Sequence, residues 1–383
     1  MVAAVRRGAA LRAVARQFRV SLLTVQRWVQ RAGAQRLDRV DWGDRPPIAH
    51  TIRRTEAAME ALVLTTRRAL KETSAGGDYG AAAIERALLA RGGPAVPSRR
   101  TIGRILVRRG ALDGRTRVRR PAPPPGWYLP DVVQGQAELE SFDIVEGLVI
   151  QSGPHVDVLT SIALHSGVVG AWPTDGLTAK RVVDRLLRHW REVGLPPYAQ
   201  FDNDTRFQGP HHYPDVIGSV MRLCLSLDVV PVCAPPRELG FQAAIESFNG
   251  RWQAKVWARF HHESLRALQA RSAQYVAASR ARTALREEAA PARRPFPSPW
   301  WLDPRVPLHG RLIFLRRTSE GGAVSLLGRT FAVAPLWPHR LVRCEVDLDA
   351  QRIRFYALRR RAPTWQPLLN EVPYRLPLDR ALT

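Results

Sequence analysis

Residues 142–172 carry three runs, FDIVEGLVIQ (142–151), HVDVLTSIAL (155–164) and GVVGAW (167–172). Each is rich in β-branched and apolar residues, and turn residues part them. They predict three strands in a meander. Working outward, TAKRVVDRLLRHWR (178–191) sets apolar side chains at 182, 183, 186, 187 and 190, which is helical spacing. Tyr198–Asp202 predicts a fourth strand, Pro214–Leu227 a helix and Val229–Cys233 a fifth strand. Phe241–Phe260 predicts a last helix, with Phe241, Ile245, Phe248, Trp252 and Val256 on one stripe. The order βββαβαβα implies a mixed five-stranded sheet with helices on its faces, an α/β core.

Carboxylates fall at three places in that order. Asp143 lies in the first strand, Asp202 ends the fourth, and Glu246 opens the last helix. A carboxylate inside an apolar strand is costly to bury unless it is paired or ligates a metal. Glu246 lies roughly 100° round the helix from Ile245, off the apolar stripe, where it can face the sheet edge from which Asp202 emerges. Converging carboxylates offer hard oxygen ligands suited to Mg²⁺ or Mn²⁺. Two such ions can activate a water or a 3′-hydroxyl and stabilise the leaving oxygen of a phosphodiester.

These residues resemble the catalytic core of retroviral integrases and insertion-sequence transposases, the DDE group with the RNase H-like fold. Asp143-Ile144-Val145-Glu146-Gly147 resembles the first-strand motif of that group. Asp202-Asn203-Asp204-Thr205-Arg206-Phe207 resembles its Asp-Asn-Gly-x-x-Phe, and Pro235-Pro236, Gly240 and Glu246 resemble its Pro…Gly…Glu. The similarity covers about 131–290. It implies that Asp143, Asp202 and Glu246 are the catalytic, metal-binding triad holding two Mg²⁺ or Mn²⁺ ions. The chain departs from the pattern in three ways. Asp204 replaces Gly, the spacing from Asp202 to Glu246 is long, and Gly240 lies five residues before Glu246. Asp204 either shapes the turn after the fourth strand or adds a fourth carboxylate. Asn249 and Gln253 follow Glu246 on the same helical face and are candidates for contacts to DNA ends. The pairs His211-His212 and His261-His262 lack the partners of a zinc site.

The charge distribution sets the core apart from its flanks. Across 383 residues the net charge is +24. Residues 1–125 hold 26 basic and 9 acidic groups, 126–292 hold 16 and 18, and 293–383 hold 16 and 7. Two basic arms flanking a neutral centre imply a polyanionic partner, nucleic acid above all. The basic runs at Arg115–Pro125 and Ala290–Trp300 end in proline-rich stretches and read as extended linkers. Only Cys224, Cys233 and Cys344 are cysteines, without a CxxC, so neither a disulfide scaffold nor a cysteine-built zinc site is expected. No apolar run reaches the ~18 residues of a membrane span, and no Gly-rich phosphate loop for a nucleotide cofactor is present.

In the first arm, LRAVARQFRVSLLTVQRWVQR (11–31) sets Ala15, Val20, Val25 and Trp28 at the core spacing of a helix-turn-helix, with Ser21 placed to cap the second helix. Arg19 stands at the turn position where Gly is usual. Residues 79–110 repeat the theme, with Ile84, Leu88 and Leu89 as one apolar face and Ser98 as a cap. Arg27, Arg31, Arg99, Arg100, Arg104 and Arg108 are the expected DNA contacts. In the last arm five short apolar runs between 312 and 358 predict a small barrel, with Arg316, Arg317, Arg340, Arg343, Arg352, Arg354 and Arg359–Arg361 available to phosphates.

The chain thus reads as multidomain. Residues 1–120 form an all-α helix-turn-helix region of two modules (1–35 and 52–112), 126–290 form the RNase H-like α/β core, and 305–380 form a small all-β barrel. The expected function is a DNA transposase or integrase that cleaves and joins strands at element ends, working on double-stranded DNA as a homo-oligomer in the bacterial cytoplasm, with the nucleoid. The alternatives are a non-catalytic DNA-binding regulator and a plain metal-dependent nuclease. Metal-dependent strand joining separates the three.

Overall fold

A computed structural model describes residues 1–43, 55–92, 96–112, 126–151, 153–210, 213–238, 240–303, 306–360 and 362–377. The whole of the Arg115–Pro125 linker lies outside them, as do His211, His212 and Arg361. The chain divides into two compact units, Met1–Ala57 and Ala58–Thr383.

In the first unit, α1 (Val2–Arg6), α2 (Leu11–Gln17) and α3 (Leu22–Ala32) close over Val14, Ala15 and Val25, all buried. The Ser21 hydroxyl accepts from the Thr24 amide at 3.1 Å and so caps α3. Arg19 adopts φ +53, the left-handed turn conformation that Gly takes without strain.

The second unit opens with α4 (Ala57–Thr73), α5 (Ala81–Ala90) and α6 (Arg99–Arg108), packed around Val63, Ile84, Leu88, Ile102, Ile105 and Leu106. Ser98 caps α6 by accepting from the Thr101 amide. These helices are fastened to the α/β region. Lys255 and Arg282 both pair with Asp78, and Arg259 donates to the Ser74 carbonyl at 2.9 Å. The second helical module therefore belongs with the core, whereas the expected 1–120 region joined it to the first.

After the short α7 (Pro130–Val133) come β1 (Leu139–Val149), β2 (His155–Ala163) and β3 (Val169–Thr174), then α8 (Ala179–Val193) and β4 (Tyr198–Phe201). They are followed by α9 (Thr205–Gln208), α10 (Ser219–Ser226), β5 (Val230–Cys233) and α11 (Ala243–Trp252). The five strands lie in the order β3-β2-β1-β4-β5. β1, β2 and β3 are antiparallel, whereas β4 runs parallel to β1 and β5 parallel to β4. The result is a mixed sheet with α8 and α10 against one face and α11 against the other.

Four further expectations need correction. The helix expected over 241–260 is α11 followed by a π-helical turn, Gln253–Trp257. A 24-residue helix, α12 (Leu265–Glu288), follows where none was expected. Its side chains donate to carbonyls along β3: Gln269 to Pro173, Ser272 to Ala171 and Arg280 to Val169. An open edge strand is thereby covered by a helix. Its buried face mixes Leu268 and Tyr275 with Ser272 and Ser279, so the helix shows little apolar periodicity.

The segment 290–300 is not an exposed linker. Arg293 reaches the buried Glu140, Arg294 bridges to Leu195, and Phe296 and Trp300 pack against the α8 side of the core.

The C-terminal strands do not stand apart as a barrel. β6 (Arg311–Arg317), β9 (Leu341–Asp347), β10 (Arg352–Ala357) and β11 (Leu368–Pro373) extend the core into a nine-stranded sheet ordered β11-β10-β9-β6-β5-β4-β1-β2-β3. β6 pairs parallel with β5, Val232 opposite Ile313 and Cys233 opposite Phe314. The run Leu312-Ile313-Phe314-Leu315 is buried on both faces, the pattern of an interior strand rather than a barrel wall. Only the hairpin β7 (Ala323–Leu326) and β8 (Arg329–Ala332) forms a second, two-stranded sheet among the described residues.

Candidate active site

Side-chain parity along β1 decides which carboxylate faces which helix. Glu140 and Phe142 point to the α8 side, where Glu140 meets His189 and Phe142 packs against Trp190. Ser141, Asp143 and Val145 point to the other side, and Val145 packs with Phe248 and Trp252 of α11. Asp143 therefore lies beneath α11. β4 runs beside β1 with Leu139 opposite Tyr198 and Ser141 opposite Gln200. Extending that register by two residues sets Asp143 beside Asp202, on the same face.

A buried polar knot holds α11 over this pair. The Gln200 amide oxygen accepts from Tyr128 at 2.8 Å and from Ser141 at 3.0 Å. Tyr128 and Gln200 also donate to the carbonyl of Phe241, just before α11. The rings of Trp127, Tyr128 and Phe241 pack together there. The start of α11, and with it Glu246, is thus referenced to β1 and β4.

Asp143 accepts from the Ile144 amide at 2.9 Å on one oxygen and from the Asn249 amide group at 2.7 Å on the other. Burial is the largest influence on its acidity and pushes its pKa up to about 6. The negative charges of Asp202 and Glu246 push the same way, while the two hydrogen bonds pull back. Asp202 is also raised, first by burial, against a hydrogen bond from the Asp204 amide. Among the described residues neither carboxylate has a basic side chain bonded to it. Arg206 lies close by but is engaged with Asp204 and Glu146, at 2.8 and 2.6 Å. Glu146 sits at a β-bulge in β1, where Gly147 has φ +76. Bulges of this kind are frequent beside active sites.

Asp204 stands at the N-cap of α9 with φ −64, accepting from the Arg206 amide at 2.7 Å. Its backbone is not left-handed, so the position does not require Gly. Phe207 is buried against Phe201 and anchors the turn from below. Gln208 donates to the Asp202 carbonyl at 2.7 Å and holds it from within.

Glu246 is exposed in the first turn of α11, on the side facing Asp143, whose acidity registers its charge. Among the described residues no group of three or more His, Cys, Asp and Glu side chains is gathered closely enough to hold a metal ion. The structure brings Asp143 and Asp202 together as a pair, with Glu246 over the same face but not closed onto them.

Several expected DNA contacts are otherwise employed. Asn249 is buried on Asp143, and its amide oxygen has no partner among the described residues. Arg31 donates to Gly43 and Asp41 and lies 5.0 Å from the Trp28 ring, so it holds its own unit together. Arg99 pairs with Glu85, while Arg108 and Arg109 both pair with the buried Glu60. Arg27, Arg100, Arg104 and Gln253 are exposed. In the C-terminal strands Arg317 pairs with Glu238, Arg343 with Glu345, and Arg352 and Arg354 with Glu371. His262 is buried, bonded to the Val256 carbonyl and stacked on Trp257.

Sequence reasoning missed Glu138 and Glu140, both fully buried. Glu138 accepts from the amides of Leu139, His165 and Ser166. Glu140 accepts from His189 at 2.6 Å, Trp190 at 3.2 Å and Arg293 at 3.1 Å. The signal available was alternation: Glu140 shares the parity of Phe142, and the helix opposite carries His189 and Trp190.

No protein-family profile and no curated protein sequence matches the chain. Among solved structures it is similar to a chain of the simian T-cell lymphotropic virus intasome in complex with PP2A regulatory subunit B56 gamma. Identity there is 16%, the TM-score 0.31, and coverage 49% of this chain. The match spans 62% of that chain, less than two thirds of its length. It is also similar to the catalytic core domain of BIV integrase, at 15% identity and TM-score 0.27, covering 36% of this chain and 80% of that one. A third is the HTLV-2 integrase catalytic core domain in complex with magnesium, at 14% and 0.23, covering 34% and 69%. The functional reading therefore stands on this chain's own residues.

Proposed function

We propose that the chain is a DNA strand-transfer enzyme of the DDE transposase and integrase kind. The observation that carries this reading is the register of β1 and β4, Ser141 opposite Gln200, which carried on by two residues supports Asp143 lying beside Asp202 beneath α11, with no basic side chain bonded to either among the described residues. Two neighbouring carboxylates raised in pKa repel one another, and a divalent cation relieves that repulsion. Asp143 and Asp202 would hold Mg²⁺ or Mn²⁺, with Glu246 completing the set from α11. Bound there, a pair of ions supplies Lewis-acid activation of the attacking oxygen and charge stabilisation at the leaving oxygen. Asn249 keeps the Asp143 carboxylate turned toward the α11 face, and the Gln200 knot keeps α11 at its height. The attacking group is water in the cleavage step and the freed 3′-hydroxyl in the joining step, each displacing an alkoxide at phosphorus. Double-stranded DNA is the substrate, with Arg27, Arg100 and Arg104 as phosphate contacts and Gln253 beside the strand end. A homo-oligomer would bring two ends together, in the bacterial cytoplasm at the nucleoid.

One observation favours a second reading. The absence of a closed three-carboxylate cluster among the described residues suits a DNA-binding regulator that does not cut. A single assay distinguishes them. Full-length protein is incubated with Mg²⁺ or Mn²⁺, a labelled duplex and a supercoiled plasmid. A strand-transfer enzyme nicks and joins label to plasmid, a plain nuclease nicks only, and a regulator does neither. Loss of joining in both Asp143→Asn and Asp202→Asn is expected. Joining that persists in either variant would refute the assignment.

A further inference from the structure

A cavity of about 470 Å³ opens on the β5 side of the turn that carries Asp202. Its walls include Asn203 and Gln208 from that turn, Tyr213, Phe314 and Arg316 from β6, and Ser325 from the β7–β8 hairpin. The volume falls in the ~300–1,000 Å³ range of small-ligand sites. The hairpin that forms its outer wall is clamped in place: Arg329 and Tyr374 both donate to the buried Asp215.

Arg316 is the feature that points to a ligand. Its guanidinium donates to three backbone carbonyls, Leu315 at 2.9 Å, Ser325 at 3.2 Å and Ala234 at 3.3 Å. Carbonyls orient a cation without cancelling its charge. No carboxylate pairs with Arg316 among the described residues, in contrast to its neighbour Arg317, which pairs with Glu238. Burial lowers the pKa of Arg316, as it must for a cation held out of water without a counter-charge. A partly enclosed cation of this kind is completed by an anionic group. Tyr213 stands 59% exposed at the rim, an aromatic face available for stacking. Asn203 and Gln208 form one wall, bonded to each other and to the Ala234 and Asp202 carbonyls, and the exposed Ser325 adds a hydroxyl beside it.

We propose that this cavity receives a single unpaired nucleotide of the DNA strand, with its phosphate on Arg316 and its base against Tyr213. The inference rests on the DNA reading above and adds to it a place where the strand leaves the duplex. Arg316 suits a phosphate, Tyr213 a flat base and the Ser325 hydroxyl a polar edge, and an aromatic platform beside a basic group is how single strands are held. The shared turn links this cavity to Asp202, so a nucleotide held here would be pulled out of the stack close to the carboxylate pair.

The test uses the full chain without divalent metal, so that binding is read apart from cleavage. Affinity is measured for a blunt duplex and for the same duplex with a two-nucleotide overhang carrying 2-aminopurine. The wild type should prefer the overhang and change its fluorescence. Arg316→Gln should lose about tenfold on the overhang duplex and stay within twofold on the blunt one. Because Arg316 also supports backbone, Tyr213→Ala at the exposed rim is the companion variant, and it should abolish the fluorescence change while leaving blunt binding unaltered. Equal affinity of the wild type for the two duplexes would overturn the cavity proposal alone. So would a fluorescence change that survives in both variants. No binding to either duplex would overturn the DNA reading as well.

Discussion

Strand β1 carries two kinds of carboxylate within four residues. Glu140, on the α8 face, is fully buried and answered by His189, Trp190 and Arg293. Burial alone would raise its pKa, but the charges of Arg293 and His189 outweigh that and hold it well below the usual carboxylate range. Asp143, on the α11 face, has only an amide, Asn249 and two negative neighbours, and it is raised. Glu140 is closed by partners the protein itself provides. Asp143 has no basic side chain bonded to it among the described residues. The same residue chemistry is thus neutralised by internal partners on one face and left raised in pKa on the other, where the cation site is proposed.

Four substitutions probe this contrast. Asp143→Asn should lower metal-dependent cleavage by about a thousandfold or more, as expected when a metal ligand worth several kcal/mol is removed. It should leave thermal unfolding unchanged or slightly raised, since it removes a repulsion; unfolding lowered by many degrees would make Asp143 structural. Glu140→Gln should do the reverse. Breaking a buried pair strands Arg293 and costs about 3–5 kcal/mol, read by denaturant unfolding at pH 7. Because Glu140 is depressed, its contribution is fully present above the ordinary value of 4.5 and is lost as pH falls through its folded value. The difference between wild type and Glu140→Gln should therefore shrink in acid, and a difference that grows there would contradict the pairing. Asn249→Ala should reduce metal affinity or turnover about 10–100-fold, the usual cost of losing a residue that orients a ligand. Its effect should fall on metal dependence rather than on DNA affinity. A loss of DNA affinity alone would return Asn249 to the role expected from sequence. Asp204→Gly should be smallest, a few tenths of a kcal/mol for exchanging an N-cap Asp for Gly. A tenfold loss of Mg²⁺ affinity there would show Asp204 to be a ligand.

The core was legible because its signals are local. Apolar, β-branched runs parted by turn residues gave the meander, helical spacing gave α8, and the Asp202–Phe207 turn is fixed by a cap at Asp204 and a buried ring at Phe207. The joining of β6 to β5 was not legible, because a two-sided buried run such as 312–315 says that a strand is interior without saying to which sheet. α12 escaped notice because its buried face mixes Leu268 and Tyr275 with Ser272 and Ser279, and much of its hold on β3 is by hydrogen bonds from Gln269, Ser272 and Arg280. The arginines show the sharpest limit. Charge counting identifies a basic chain, but only the fold separates Arg31, Arg99 and Arg108, spent on internal carboxylates and carbonyls, from Arg27, Arg100 and Arg104 on the surface. Glu140 was passed over for the same reason, since its partner Arg293 is 153 residues away.

Direct metal binding tests the central claim that Asp143 and Asp202 form one cation site. Mn²⁺ is titrated into the full chain by calorimetry, with Asp143→Asn, Asp202→Asn and Glu140→Gln as comparisons, each first shown to be folded. The account expects saturable binding in wild type and Glu140→Gln and its loss in both Asp variants. Binding that is undiminished in Asp143→Asn and Asp202→Asn, or absent from the wild type at millimolar Mn²⁺, would contradict it.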